Sequence, residues 1–93
     1  MLLKDYIPNL NKKFRKIFFS GITFNSAKVK KNYIFFAIRG SKIDGNKFIS
    51  SAIKKGSKII ISDQKFKGFK KLILFLYTKN VRRLLAEVSF KIF

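Results

Sequence analysis

One apolar stretch that ends in a glycine decides the fold of this chain, Tyr33-Ile34-Phe35-Phe36-Ala37-Ile38-Arg39-Gly40. Its first six residues are apolar without alternation, which is typical of a β-strand buried on both faces. Strands of this kind occur mainly in parallel sheets, where helices cover both sides. The stretch therefore predicts a central strand of an α/β sheet, and its glycine marks the start of the loop that follows.

Three further segments predict strands of the same sheet, residues 17–24, 58–62 and 72–77. All three are rich in the β-branched and aromatic residues that favour strands. The basic residues 64–71 between the last two are interpreted as a connector. Lys31-Asn32 is interpreted as a turn before the central strand, because Asn tolerates the left-handed conformation.

Two amphipathic segments predict helices that cover this sheet. Asn46 is expected to cap the first helix and Gly56 to end it. Asn80 is expected to cap the second. The apolar residues that share a face are Phe48, Ile49, Ala52 and Ile53 in the first helix, and Val81, Leu84, Leu85, Val88 and Ile92 in the second. The order of elements predicts an α/β fold, a small mostly parallel sheet with flanking helices, in a single domain at residues 1–93.

The composition excludes several kinds of active site. The 93 residues contain no Cys and no His, and only 4 residues are Asp or Glu. Thiol nucleophiles, disulfides, imidazole bases and His- or thiolate-ligated metals are therefore excluded. The four carboxylates are scattered and suggest no acid/base pair. We assign no catalytic residue and no metal ligand, and expect that the chain is not a complete enzyme.

The balance of charge is strongly basic, with 22 Lys and Arg residues and a formal net charge of +18. Such a charge favours anionic ligands. The lysines are spread along the whole chain, however, and the accompanying Ile, Phe and Asn suggest drift in an AT-rich genome. A small RNA-binding or ribosome-associated protein remains an alternative, with binding that weakens steeply as salt rises. A plain interaction module that docks its apolar C-terminal helix is a third possibility.

No segment predicts membrane insertion or export. The longest strongly apolar run, residues 72–77, is far shorter than the roughly 20 residues of a membrane-spanning helix. The first five residues include an acid and do not resemble a secretory signal. We therefore expect a cytoplasmic protein.

Ligands of open α/β sheets bind in the loops at the carboxyl ends of the strands. Two predicted loops qualify, residues 24–27 and residues 40–45. Glycines in the second loop allow a close approach of the backbone, whose N–H groups can meet a phosphate. The string that defines a P-loop is absent. The pattern is compatible with two ordinary turns or with a site for a phosphate-bearing ligand.

Four side chains in or beside these loops have suitable chemistry. Ser26 and Ser41 offer hydroxyl groups, and Arg39 and Lys42 offer positive charge that can offset a phosphate. Asp44 precedes a glycine and is interpreted as a turn former.

The ordered set of motifs resembles the N-terminal domain of the Mur ligases, bacterial ATP-dependent enzymes that extend the peptide on UDP-N-acetylmuramic acid. The residues that carry the resemblance are Ser26, Val29, residues 33–40, Asp44-Gly45, Phe48-Ile49, residues 52–56 and residues 58–61. Residues 2–6 and 80–87 are most similar to the MurE type, the UDP-N-acetylmuramoyl-tripeptide synthetases. Where the family has Asp-Ser-Arg, this chain has Asn25-Ser26-Ala27, and where it has a Pro-Gly turn, this chain has Lys31-Asn32.

The resemblance implies a role for the chain in cell-wall synthesis. Such a domain would hold the UDP part of UDP-MurNAc-L-Ala-D-Glu, the peptidoglycan precursor, for ATP-dependent addition of an amino acid. Carried over by position, the substrate-binding residues would be Phe24 and Ser26, which flank the nucleotide, and Ser41, Lys42 and Ile43, which line its ribose–diphosphate side.

The same resemblance places the rest of the machinery elsewhere. ATP and Mg would bind in a central domain outside these 93 residues, so we expect no cofactor in this segment and no activity from it alone. The expected partners are the UDP-N-acetylmuramoyl peptide and the remainder of a Mur ligase chain. Neither a membrane nor nucleic acid is expected as a partner on this interpretation.

Overall fold

A computed structural model describes all residues from Met1 to Phe93 and contains one five-stranded sheet. The strands are β1 (Gly21–Thr23), β2 (Tyr33–Phe36), β3 (Ile59–Ser62), β4 (Gly68–Lys70) and β5 (Ile73–Tyr77). Their order in the sheet is β1-β2-β3-β5-β4, and every neighbouring pair is parallel except β4 with β5. The predicted α/β fold with a mostly parallel sheet is confirmed.

The two central strands are apolar throughout because both faces of the sheet are covered. Side chains alternate between the faces along a strand, so Ile34 and Phe36 of β2 lie in one core cluster and Phe35 in the other. The first cluster includes residues of the N-terminal segment and Val88, whereas the second includes Val29 and Ala52.

Two α-helices flank the sheet, α1 (Ile49–Lys54) and α2 (Val81–Ile92). Asn80 caps α2 as expected, because its Oδ1 accepts a hydrogen bond from the backbone N–H of Arg83 at 3.1 Å. The expected inner face of α2 packs on the first core cluster. Neither helix combines the length and the apolarity that crossing a membrane requires.

The prediction that Asn46 caps the first helix is wrong. The cap is Asp44, whose carboxylate accepts the backbone N–H of Asn46 at 2.9 Å and begins a 3₁₀ turn, Gly45–Phe48, ahead of α1. Asp and Asn are both good caps, so the composition of this segment does not say which of the two is used. The end of α1 is as expected, since Gly56 has a φ of +114°.

The expected connector at residues 64–71 contains the edge strand β4, which pairs with β5 through a two-residue turn. The two turn residues, Lys71 and Leu72, have φ values of +49° and +71°. Turns of this geometry usually carry Asn or Gly, so no hairpin signal was present in the sequence. The turn predicted at Lys31-Asn32 is confirmed, with a φ of +64° at Asn32.

The predicted strand at residues 17–24 is shorter in the structure, where only Gly21–Thr23 belong to the sheet. Phe18 instead forms an isolated antiparallel bridge with Leu2. The N-terminal segment therefore ties itself to the chain just before β1, and it adds Leu3 and Phe19 to the first core cluster.

Candidate functional site

Both loops that sequence analysis selected lie at the same edge of the sheet. β1 and β2 are parallel neighbours, with Thr23 opposite Phe35 in register. The loop after β1 carries Phe24 and Ser26, and the loop after β2 carries residues 41–43. Because carboxyl ends of adjacent parallel strands emerge side by side, the fold brings all five predicted site residues to one edge. No hydrogen bond connects the two loops directly.

The loop after β1 is a short, well-braced turn. Asn25 Oδ1 accepts the N–H of Ala27 at 3.0 Å, and Thr23 Oγ1 accepts the N–H of Asn25 at 3.1 Å. Phe24 is 62% exposed, and the Ser26 hydroxyl makes no hydrogen bond within the protein. The turn thus presents an aromatic ring and a free hydroxyl from a fixed backbone.

The loop after β2 leaves a row of backbone donors free. The N–H of Gly40 donates to Ile43 O at 2.8 Å, and the N–H of Gly45 donates to Ile38 O at 2.7 Å, so the base of the loop is closed. The N–H groups of residues 41–43 between them donate to no acceptor in the protein. Successive backbone N–H groups that converge in a turn can bind an anion.

Gly45 is required by a close approach of two backbone segments. A Cβ atom on Gly45 would lie 2.6 Å from the nitrogen and 2.7 Å from the oxygen of Ile38. Backbone atoms cannot move aside as a flexible side chain can, so the tight closure of this loop depends on the glycine.

Four polar residues, Arg39, Asp44, Asn46 and Asp63, form what we call the Arg39 clamp. Nε of Arg39 lies 2.9 Å from Oδ2 of Asp63, and Nη1 of Arg39 lies 3.5 Å from Oδ2 of Asp44. Nδ2 of Asn46 donates to Oδ1 of Asp44 at 2.8 Å and to Oδ1 of Asp63 at 3.3 Å. Since Asp63 follows β3, the clamp ties the loop after β2 to the end of the next strand.

The clamp shifts the ionisation of its members. The hydrogen bond from Arg39 lowers the pKa of Asp63, and the hydrogen bonds from the backbone and side chain of Asn46 lower that of Asp44. The pKa of Arg39 is raised by the same pairing, chiefly through its hydrogen bond to Asp63. All three groups are thus held in their charged forms.

This pairing corrects one expectation from the sequence. Arg39 was expected to offset the charge of a phosphate, but its guanidinium is already paired with Asp44 and Asp63. Lys42 makes no ion pair, so its charge is not neutralised within the protein. Sequence reasoning also missed Asn46 and Asp63 as members of this network, because Asp63 lies 24 residues from its partner Arg39.

A third segment of the chain reaches the same loop. Nη2 of Arg82, the second residue of α2, lies 3.8 Å from the position that a Cβ atom on Gly40 would occupy. The Arg82 side chain is exposed and makes no hydrogen bond or ion pair with the protein. Nothing in the sequence marks Arg82 as part of this site, since it lies more than forty residues beyond Gly40.

A groove of about 1070 Å³ lies elsewhere on the molecule. It runs between the N-terminal segment, the start of β4 and the first turns of α2, and its walls include Pro8, Phe14, Gly68, Tyr77 and Arg83. None of the five predicted site residues lines it. This groove and the two candidate loops are therefore different places on the fold.

Comparison with known protein families identifies the family of the chain. The family model described as "Mur ligase family, catalytic domain" matches residues 18–88. The chain belongs to the Mur ligase family. The resemblance that the sequence motifs indicated is thereby confirmed.

Curated Mur ligases match over most of the chain. The chain is 47% identical over 70 residues to the UDP-N-acetylmuramoyl-L-alanyl-D-glutamate–2,6-diaminopimelate ligase of Clostridium tetani. This match covers 73% of the chain and 14% of that ligase. It is 34% identical over 88 residues to the ligase of the same name from Fusobacterium nucleatum, and this match covers 95% of the chain and 16% of that ligase. The chain thus spans about one sixth of the length of these Mur ligases, and the similarity to the MurE type is confirmed.

Solved Mur ligases share the fold. A MurF ligase from Thermotoga maritima, crystallised with ADP, matches 75% of this chain and 16% of its own, with a TM-score of 0.61 and 24% identity. The UDP-N-acetylmuramoylalanyl-D-glutamyl-2,6-diaminopimelate–D-alanyl-D-alanyl ligase of Acinetobacter baumannii matches 90% of this chain and 17% of its own, with a TM-score of 0.63 and 20% identity. The sheet of this Mur ligase chain is therefore a fold already known in the family.

Proposed function

We propose that this chain is the N-terminal substrate-binding domain of a Mur ligase and holds the UDP part of a UDP-N-acetylmuramoyl peptide. The observation that carries the proposal is the row of three free backbone N–H groups at residues 41–43, in the loop that follows β2. This loop leaves the sheet beside the loop that carries Ser26. Together the two loops offer donors for a diphosphate and contacts for a nucleoside.

Each predicted residue has a physical role in this proposal. The exposed ring of Phe24 offers an apolar face for the uracil, because every base has a π-face that can stack. The free hydroxyl of Ser26 can bond the nucleotide from the same side. Ser41 and Lys42 face the diphosphate with a hydroxyl, backbone N–H groups and a positive charge, and Ile43, 64% exposed, gives apolar contact to the ribose.

The chemistry of ligation is proposed to lie in other parts of the ligase. With no Cys, no His and 4 scattered carboxylates, this chain offers no catalytic set of its own. ATP and Mg are expected to bind in the central domain, and the product is expected to be a peptidoglycan precursor with one more amino acid. The cytoplasm is the expected location of that reaction.

Titration with UDP, followed by the backbone amide signals in NMR, tests the proposal. We expect signals of Ser26 and of residues 40–45 to move, with saturation, while inorganic pyrophosphate at the same concentration moves them less. The affinity is expected to be weak, because the remaining domains of the ligase are missing. Unmoved signals in both loops at millimolar UDP would contradict the proposed site.

RNA binding is the second candidate, and the net charge of +18 favours it. It predicts tight binding to RNA whose affinity falls steeply with salt, without preference for UDP. The two candidates are separated by a competition experiment. If the chain is an RNA-binding protein, an excess of UDP should not displace bound RNA. If the substrate-binding proposal is correct, an excess of single-stranded RNA should leave the UDP-dependent shifts of the two loops in place.

A further inference from the structure

We propose that Arg82 is a binding residue for the diphosphate, acting from α2 across the loop that follows β2. The inference depends on the proposed function, since it names the group that neutralises the charge of the same nucleotide. It goes beyond the five residues assigned by sequence, because Arg82 belongs to a different element.

The geometry places the guanidinium beside Gly40, the residue that precedes the free donors. Nη2 of Arg82 lies 3.8 Å from the position of a Cβ on Gly40, directly before the three free N–H groups. Gly40 has no side chain at this point, and the same Cβ position lies 3.0 Å from the carbonyl oxygen of Ile43. The base of the Arg82 side chain is held in place because Val81, its neighbour, is buried in the first core cluster and Asn80 caps the helix.

A diphosphate at this edge of the sheet needs a positively charged group that is not already paired within the protein. The Arg39 clamp contains one guanidinium and two carboxylates, so the clamp has no net positive charge to offer a diphosphate. The guanidinium of Arg39 is itself paired with Asp44 and Asp63. Arg82, by contrast, has no carboxylate within ion-pair distance, and its charge is therefore free for a ligand.

Arginine suits this position better than lysine. The planar guanidinium presents paired N–H donors that match two phosphate oxygens, and hydrogen bonds between charged groups are roughly twice as strong as neutral ones. We therefore expect that Arg82 contacts both the phosphate oxygens and the edge of the loop, and that Lys at this position restores only part of the affinity.

The neighbouring Arg83 provides a matched control. Its Nε lies 3.3 Å from Oε1 of Glu87, and it lines the groove on another part of the surface. Replacing either arginine by alanine removes one positive charge from adjacent exposed positions in the first turn of α2. A loss that follows only from the change in net charge would thus be similar in Arg82→Ala and Arg83→Ala.

The test compares UDP and uridine binding to the 93-residue chain and its Arg82→Ala, Arg82→Lys and Arg83→Ala variants by NMR titration. For Arg82→Ala we expect about tenfold weaker binding of UDP, the loss of one charge-assisted contact, and unchanged binding of uridine. Arg82→Lys should lie in between, and Arg83→Ala should bind UDP within about twofold of the parent chain, since a surface charge away from the ligand is largely screened. Thermal unfolding of each variant checks that the fold is retained.

Two different failures are distinguishable. If the parent chain binds UDP through both loops and Arg82→Ala binds it as well as Arg83→Ala does, the role of Arg82 is wrong and the proposed function stands. If the parent chain shows no shift in either loop, the proposed function and the role of Arg82 are both overturned.

Discussion

Arg39 and Asp63 join the ends of two neighbouring parallel strands, with Nε of Arg39 2.9 Å from Oδ2 of Asp63 and Nη2 3.3 Å from Oδ1. The two residues are 24 positions apart in the chain. Asp44 and Asn46 complete the Arg39 clamp and tie the loop to its own base. A loop held in this way loses less conformational freedom when a ligand binds, which favours affinity.

Asp63→Asn is expected to lower the stability of the chain in a pH-dependent way. Arg39 lowers the pKa of Asp63 in the folded state, so the ionised carboxylate stabilises the fold. This contribution is fully present above the unfolded-state pKa of about 3.9 and is lost as the pH falls through the lower folded-state pKa. Urea unfolding should therefore show a deficit for Asp63→Asn at pH 7 that shrinks towards pH 2.

The control for this experiment is Asp5→Asn, because Asp5 makes no ion pair. It should change stability little at either pH. An Asp63→Asn deficit of the same size at pH 7 and pH 2 would mean that the carboxylate charge is not what the clamp uses.

Gly45→Ala should destabilise the fold much more than Gly21→Ala. The new Cβ at position 45 would meet the backbone of Ile38 at 2.6 Å, whereas at position 21 it would meet only the ring of Tyr33, also at 2.6 Å. A side chain can rotate away and a backbone cannot. We expect a loss of about 2 kcal/mol or more at position 45, the range of steric changes in a packed segment.

Chemical denaturation of the two glycine variants measures this difference. Equal losses at positions 21 and 45 would show that the loop after β2 can open to accept a side chain. That result would also weaken the picture of a rigid, pre-formed row of backbone donors.

Leu72→Asn is expected to stabilise the chain by about 0.5–1 kcal/mol, because Asn tolerates the left-handed conformation that costs other residues roughly 1–2 kcal/mol. Leu72 has a φ of +71° in the turn between β4 and β5 and is 83% exposed, so its replacement sacrifices little burial. Leu72→Ala removes the same side chain without this tolerance and serves as the control. Thermal unfolding that ranks the alanine variant equal to the asparagine variant would contradict the conformational explanation.

Asn80→Ala should cost about 1 kcal/mol, the usual value of a helix N-cap. Oδ1 of Asn80 accepts the N–H of Arg83 at 3.1 Å and is the side-chain cap of α2. Asn80→Asp keeps an acceptor at the same position and should retain most of the stability. Helix content by circular dichroism and the unfolding midpoint distinguish the two variants, and a similar loss in both would argue against capping.

Several elements of the fold could be predicted because their signals are local. The run Tyr33–Ile38 is apolar without alternation, and it forms the buried strand β2. The cap at Asn80 and the end of α1 at Gly56 were likewise predicted from the residues at those positions. Such features depend on backbone preferences and on the burial of neighbouring residues, and both can be inferred from a short segment of sequence.

Other elements depend on contacts that no short segment contains. β4 is a strand because β5 pairs with it, although the intervening turn uses Lys71 and Leu72 and carries no turn signal. Asp44 rather than Asn46 is the cap, and Asp44 is also held by Arg39, a contact that the local sequence does not show. Both features involve contacts between residues that the local sequence does not reveal.

By itself, the sequence determined the parallel strands and the two helices in their order, the two loops with serine and glycine, and the Mur ligase family. Only the tertiary structure decided which charges in those loops are free. Ion pairs form between groups that the fold brings within a few ångströms, so Arg39 was occupied by the distant Asp63, and Arg82, remote in the chain, came to lie beside Gly40 with its charge unpaired.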